Sequence, residues 1–220
     1  MPRPKKSKGY FISFEGGEGS GKSTQARLLQ GWLEAHGFAT VLTREPGGTP
    51  TGTKIRGLLL DQEHGPLTSR AELLLYEADR AHHVESKIRP ALAQGAVVLC
   101  DRYTDSSTVY QGICRGLGEK AVAELNHYAT AGLKPDTVIL LAMPAETGMA
   151  RVRARAATLD RMESEAMAFH KKVRSGFLRL ARKQPSRYVI LDGRKSESEL
   201  HLAIQKITES KLKRRGIWKP

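Results

Sequence analysis

The chain has 220 residues and 40% hydrophobic content, which excludes a disordered protein and leaves ample material for one domain with a real core. No apolar run approaches the length of a membrane span, and two cysteines, Cys100 and Cys114, without CxxC or metal-ligand spacing, exclude a disulfide framework. The formal net charge of +13 suggests nucleic acid as a partner, but removing the nine terminal cations (Arg3, Lys5, Lys6, Lys8, Lys211, Lys213, Arg214, Arg215, Lys219) leaves only about +4. Residues 1–9 and 211–220 therefore read as a basic N-terminal extension and a basic C-terminal tail, both solvated, flanking a single domain over 10–210. The apolar stretch near the N-terminus is too short for a signal peptide, so the expected compartment is the cytoplasm, with no membrane partner.

The first element, "YFISFE" (10–15), is a short apolar strand that ends at glycines. "STQARLLQGWLEAHG" reads as a helix stopped by Gly37, "FATVLTR" as a second strand and "EPGGTPTG" as a loop. A long helix starts at Ser69, with Ser69 and Glu72 at capping-box spacing, and runs towards Pro90. "AVVLCD" (96–101), "DTVILLAM" (136–143) and "RYVILD" (187–192) are further strands, and helical patterns fill the gaps. Strands alternating with helices predict an α/β fold, a five-stranded parallel sheet with helices on both faces.

Between the first strand and first helix, Gly16, Gly21, Lys22 and Ser23 satisfy G-x-x-x-x-G-K-[ST], the phosphate loop of P-loop NTPases. Glycines let backbone N–H groups converge on phosphate oxygens, and the helix N-terminus adds partial positive charge. The stretch Gly16, Gly17, Glu18, Gly19, Ser20, Gly21, Lys22, Ser23 and Thr24 is the expected ATP site, with Lys22 reaching the outer phosphates and Ser23 ligating Mg²⁺. Asp101, at the carboxyl end of the third strand, is a second candidate Mg²⁺ ligand, directly or through water. Arg44 and Arg102 end neighbouring strands, where a second phosphate could dock, and Arg80 lies in the long helix. Glu15 and Glu18 put two acids beside this phosphate site.

The set "FEGGEGSGKST", "TREPGGT", "LLLYEADRAHH", "DRYTDSSTVYQG" and "LDRMESE" resembles, in order and along most of the chain, the thymidylate kinase family. The resemblance implies Mg-dependent transfer of the γ-phosphoryl group of ATP to dTMP, giving dTDP for dTTP synthesis, by a homodimer with a mobile lid (about 148–163). It assigns Glu18 to the acceptor's 3′-hydroxyl, Arg44 and Arg102 to its phosphate, and Tyr76, where Phe is usual, to stacking on thymine. Arg80 falls to the base edge, Ser107 and Gln111 to the pocket wall, and Tyr110 to crowding the 2′ position. Glu15 is assigned to tying the loop. Glu77 and His170 depart from the residues common at their positions.

Some family members carry an arginine in the phosphate loop, where this chain has Gly19. The lid supplies Arg151, Arg153, Arg155 and Arg161 instead, and the resemblance to the bacterial variant makes Arg153 or Arg155 the arginine that joins Lys22 and Arg102 in catalysis. Glu163 resembles a lid acid and is a further candidate metal ligand. Two alternatives remain at this stage: a nucleoside monophosphate kinase of other or broader specificity, such as dUMP, and a basic P-loop protein that binds nucleic acid.

Overall fold

The computed structural model describes residues 9–62, 65–155 and 158–218. Strands β1 (Tyr10–Glu15), β2 (Thr40–Arg44), β3 (Val97–Asp101), β4 (Thr137–Ala142) and β5 (Tyr188–Asp192) form one parallel sheet in the order β2-β3-β1-β4-β5. Each lies within two residues of its expected limits. The helices are α1 (Lys22–Ala35), α2 (Pro50–Leu60), α3 (Ser69–His83), α4 (Arg89–Ala93), α5 (Thr104–Ser107), α6 (Glu119–Ala129), α7 (Ala145–Arg155), α8 (Met167–Lys183) and α9 (Glu197–Arg215). Among the described residues no helix is long and apolar enough to cross a membrane.

Alternation along the strands divides the core. Tyr10, Ile12 and Phe14, with Val97, Leu99, Ile139 and Leu141, pack on one face against Leu29 and Leu33 of α1 and Leu200, Ile204 and Leu212 of α9. Phe11, Val98 and Cys100 point to the other face, against Val84, Ile88 and Leu92 around α4, while Val138 and Leu140 meet Phe177 and Leu180 of α8. Both faces are covered, which is why these strands read as continuous apolar runs. A π-helical turn (Val84–Ile88) joins α3 to α4, and a second (Thr108–Cys114) extends α5. Such turns shift the helix phase, and the second carries Tyr110 and Gln111.

Three expectations change. First, α3 is capped at Thr68, and no side chain accepts from the first turn. Glu72 instead points inward, fully buried, to Arg115 at 3.2 Å, Arg161 at 2.7 Å and Gln111 at 2.7 Å. Two arginines and an amide outcompete a local cap, because an acid buried there needs full compensation. Second, the loop expected over 45–52 ends early: Thr49 caps α2 by accepting from the Gly52 N–H at 2.9 Å, with Pro50 in the first turn. Third, the tail expected from 211 belongs to the fold as far as Trp218. Leu212 is buried, and Trp218 stacks on Trp32 with ring centres 5.3 Å apart. Residues 1–8 of the N-terminal extension lie outside the described residues.

Glu72→Ala takes the carboxylate from Arg161, while Arg115 keeps Glu165, and should cost about 3 kcal/mol in urea unfolding. Ser69→Ala, which removes no cap, should stay within about 0.5 kcal/mol of the parent.

Candidate active site

The carboxyl ends of β1, β2 and β3 line up. Arg44 registers with Asp101, and Asp101 with Phe14. Alternation then sends Asp101 towards α1 and Glu15 towards the opposite face. On the α1 side, the Ser23 hydroxyl donates to Asp101 Oδ2, and Asp101 Oδ1 is a buried oxygen with no partner among the described residues. A hydroxyl and a half-committed carboxylate are hard oxygen donors, so the pair fits a partly hydrated Mg²⁺. On the other side, Glu15 is fully buried and accepts from the Tyr103 N–H at 2.9 Å and the Ser106 hydroxyl at 2.6 Å. Burial and the neighbouring Asp105 push its carboxyl up to about 8.

The loop between β1 and α1 is packed without space to spare. Gly19 has φ +66°, and a Cβ there would lie 2.1 Å from the Gly148 carbonyl oxygen. Conversely, a Cβ on Gly148 would lie 2.3 Å from the Glu18 carbonyl oxygen. Loop and lid helix α7 thus touch backbone to backbone, and an arginine at position 19 has no room. Lys22 Nζ donates to the Gly17 carbonyl at 2.8 Å. Burial and the nearby Arg102 pull its ammonium down to about 8, against the opposing pull of Glu18 and Asp101.

Of the cavities beside this loop, two meet at a seam. One is lined by Glu18, Gly19, Ser20, Gly21, Lys22, Ser23 and Thr24 with Arg44, Asp101, Arg155 and Glu163. The other is lined by Tyr76, Arg80, Ser107, Tyr110 and Gln111. They share Glu18, Glu45, Arg56, Arg102 and Asp160. At this seam Arg102 Nη2 donates to both oxygens of Glu18, at 2.8 and 2.9 Å, and the Tyr110 hydroxyl donates to the same carboxylate at 2.7 Å. Burial alone would raise the Glu18 carboxyl, but Arg102, Lys22 and Tyr110 outweigh it and hold it down at about 2.

Arg80 is buried and nearly saturated. Nε donates to Glu45 at 2.7 Å, and Nη1 serves Glu77, Ser107 and Asn126. Among the described residues Nη2 has a single partner, the Tyr103 carbonyl at 3.3 Å. Glu77 is therefore, with Glu45, a buried counter-ion of Arg80, and it is absent from the lining of either cavity. Glu45, His83 and Cys100 bring potential metal-ligand atoms within 4.8 Å. Both His83 nitrogens are committed, to Thr43 at 2.7 Å and Glu45 at 3.0 Å, so the histidine is a strut for the loop after β2.

On α7, in the segment expected to be a lid, Arg155 lines the cavity beside the glycine loop and pairs with Glu163 at 2.8 Å, while Arg153 is exposed and lines neither cavity. The second Glu163 oxygen accepts the Asp160 N–H at 3.2 Å. Both of its oxygens thus have partners close by in the chain, Arg155 and the Asp160 N–H. Residues 156 and 157 lie outside the described residues. Sequence reasoning missed Arg56, Glu45 and Asp160 at the seam. Arg56 sits on α2, whose first residues read as loop, and its Nη1 donates to the Pro46 carbonyl at 3.1 Å.

Gly148→Ala should displace the phosphate loop and lower kcat/KM for ATP by about 10²-fold, with a melting temperature near that of the parent. Glu18 has a folded-state pKa below its unfolded value, so its contribution to stability is present above about 4.5 and lost as pH falls towards about 2. Urea unfolding at pH 5 and pH 3 should show a smaller acid-induced loss in Glu18→Gln than in the parent.

Known proteins resemble this chain along most of its length. The thymidylate kinase family model matches residues 14–204. A thymidylate kinase of Geotalea daltonii is 48% identical over 202 residues, covering 89% of this chain and 94% of its own. One of Nostoc punctiforme is 47% identical over 206 residues, covering 93% and 98%. The crystal structure of thymidylate kinase from Ehrlichia chaffeensis superposes with a TM-score of 0.76 at 33% identity, over 91% of this chain and 98% of that one. The chain belongs to the thymidylate kinase family.

Proposed function

We propose that this chain transfers the γ-phosphoryl group of ATP to dTMP, giving dTDP, with Mg²⁺ as its metal and as a cytoplasmic homodimer. The observation that carries the reading is the seam: a polyphosphate cavity and a base-and-sugar cavity meet at Glu18 and Arg102. On the donor side, the loop Gly16–Thr24 cradles the triphosphate and Lys22 takes its outer phosphates. Ser23 and Asp101 hold Mg²⁺, supported by the unpartnered Asp101 Oδ1. When bound, the metal supplies charge neutralisation at those phosphates.

On the acceptor side, Tyr76 stacks on the base, and Arg80 offers its remaining Nη2 hydrogen to the base edge. Ser107 and Gln111 complete the wall, and Tyr110 crowds the 2′ position. A carboxylate has about four acceptor sites. Glu18 uses three on Arg102 and Tyr110, which leaves one for the 3′-hydroxyl. Arg44 and Arg102, with Arg56 beside them, draw the acceptor phosphate to the seam. Its oxygen is already anionic, so positioning and charge neutralisation suffice without a strong general base. Arg155 completes the cation set from the lid and excludes water as it closes. Exposed Leu58 and Leu74 on the paired helices α2 and α3 support a second copy packing there, and two free thiols support a reducing compartment.

A coupled assay of ADP release, with Mg·ATP and dTMP, dUMP, UMP, dGMP, CMP or no acceptor, tests the reading. Turnover should be strong with dTMP, weaker with dUMP and near background alone. A rate indifferent to the acceptor would overturn it. Arg155→Ala should lower kcat by about 10³-fold or more, while Arg153→Ala stays near the parent.

A further inference from the structure

Glu15 is the acid that the reaction leaves unexplained. It is fully buried at the end of β1, and it lines neither cavity. Its two oxygens reach across the sheet end to the turn that follows Arg102: one accepts from the Tyr103 N–H, the other from the Ser106 hydroxyl. Ser106 Oγ in turn accepts from Arg102 Nη1 at 3.2 Å. The result is a one-way relay, from guanidinium to hydroxyl to carboxylate, in which each donor is polarised by the next acceptor.

The residues on either side of Glu15 grip the same arginine. The Arg102 N–H donates to the Phe14 carbonyl at 2.9 Å, and Arg102 Nη1 donates to the Gly16 carbonyl at 3.2 Å. Arg102 has φ +71°, a left-handed conformation that is unfavourable for a non-glycine residue and persists only where its surroundings impose it. The other acid nearby, Asp105, is closed off by the Arg187 fork at 2.8 Å on both oxygens. Glu15 thus remains as the buried acceptor that fixes Ser106 and the Tyr103 N–H beneath Arg102.

We infer that Glu15, through Ser106 and the Tyr103 N–H, is the positioning residue that aims Arg102 at the acceptor phosphate. The inference rests on the reading of Arg102 as an acceptor-phosphate ligand. It makes the strand that carries the donor's phosphate loop also set the direction of an acceptor ligand. A merely structural role would weaken both substrates together or neither.

The test measures dTMP affinity and non-hydrolysable ATP affinity separately by calorimetry, in Ser106→Ala and Glu15→Gln. Each should weaken dTMP on the order of tenfold and leave the ATP analogue within about twofold. In an Arg102→Lys background, Ser106→Ala should add no further loss, because the relay's first donor is already gone. Unchanged dTMP affinity, parallel loss of both ligands, or additive losses with Arg102→Lys would each overturn the inference. If Glu15→Gln does not fold, Ser106→Ala alone decides. Failure of the underlying function would look different: the parent itself would bind no dTMP.

Discussion

Donor and acceptor phosphates must come within reacting distance, yet each pair of unit charges at about 4 Å repels by roughly 4 kcal/mol at an effective dielectric of 20. Much of this molecule answers that repulsion. Lys22, Arg44, Arg56, Arg102 and Arg155 all line the cavity beside the glycine loop, from five separate parts of the chain. A cation on a flexible stem is of little use if ordering it consumes the attraction it supplies. The acids beside the phosphate loop answer this second problem. Glu18 holds Arg102 on the cavity side, and Glu163 clasps Arg155 in the lid. Negative charge near a negative ligand makes sense once its first partner is an arginine.

The sheet distributes these duties through its two-residue period. At one level of β1 and β3, Asp101 faces α1 and meets Ser23, while Glu15 faces α5 and meets Ser106. The proposed metal ligands and the proposed support of Arg102 therefore fall on opposite faces of one sheet edge. The π-helical turn after α5 then brings Tyr110 to Glu18 and Gln111 to Glu72, with both residues on the wall of the acceptor cavity.

What the sequence made legible is local. The phosphate loop is a backbone device flanked by a strand and a helix, and its signature is contiguous. Tyr76, Arg80, Ser107, Tyr110 and Gln111 were nameable because their motifs resemble a family, and the fold gathers them around one cavity. What stayed hidden depends on distant partners. Glu72 has capping-box spacing, but its real partners are 39 to 89 residues away, and only the tertiary fold shows that they win. Glu163 looks like a free acid until Arg155 and Asp160 are placed beside it. Spacing could not separate Arg153 from Arg155, because two residues along a helix differ by about 200° in direction and which side faces the phosphates is set by how α7 docks. Arg56 was invisible for the same reason: α2 had to be placed before its arginine could be counted.

The contact of Gly19 with Gly148 has an evolutionary corollary. In this backbone, placing an arginine at position 19 is not a single substitution. A side chain at 19 meets the lid helix before it reaches a phosphate, so position 148 and the docking of α7 would have to change first. Redocking α7 would also move Arg155, the arginine proposed above to act from this helix. The two arrangements of the arginine are then separated by a valley of poor enzymes, and lineages on either side should keep the one they inherited.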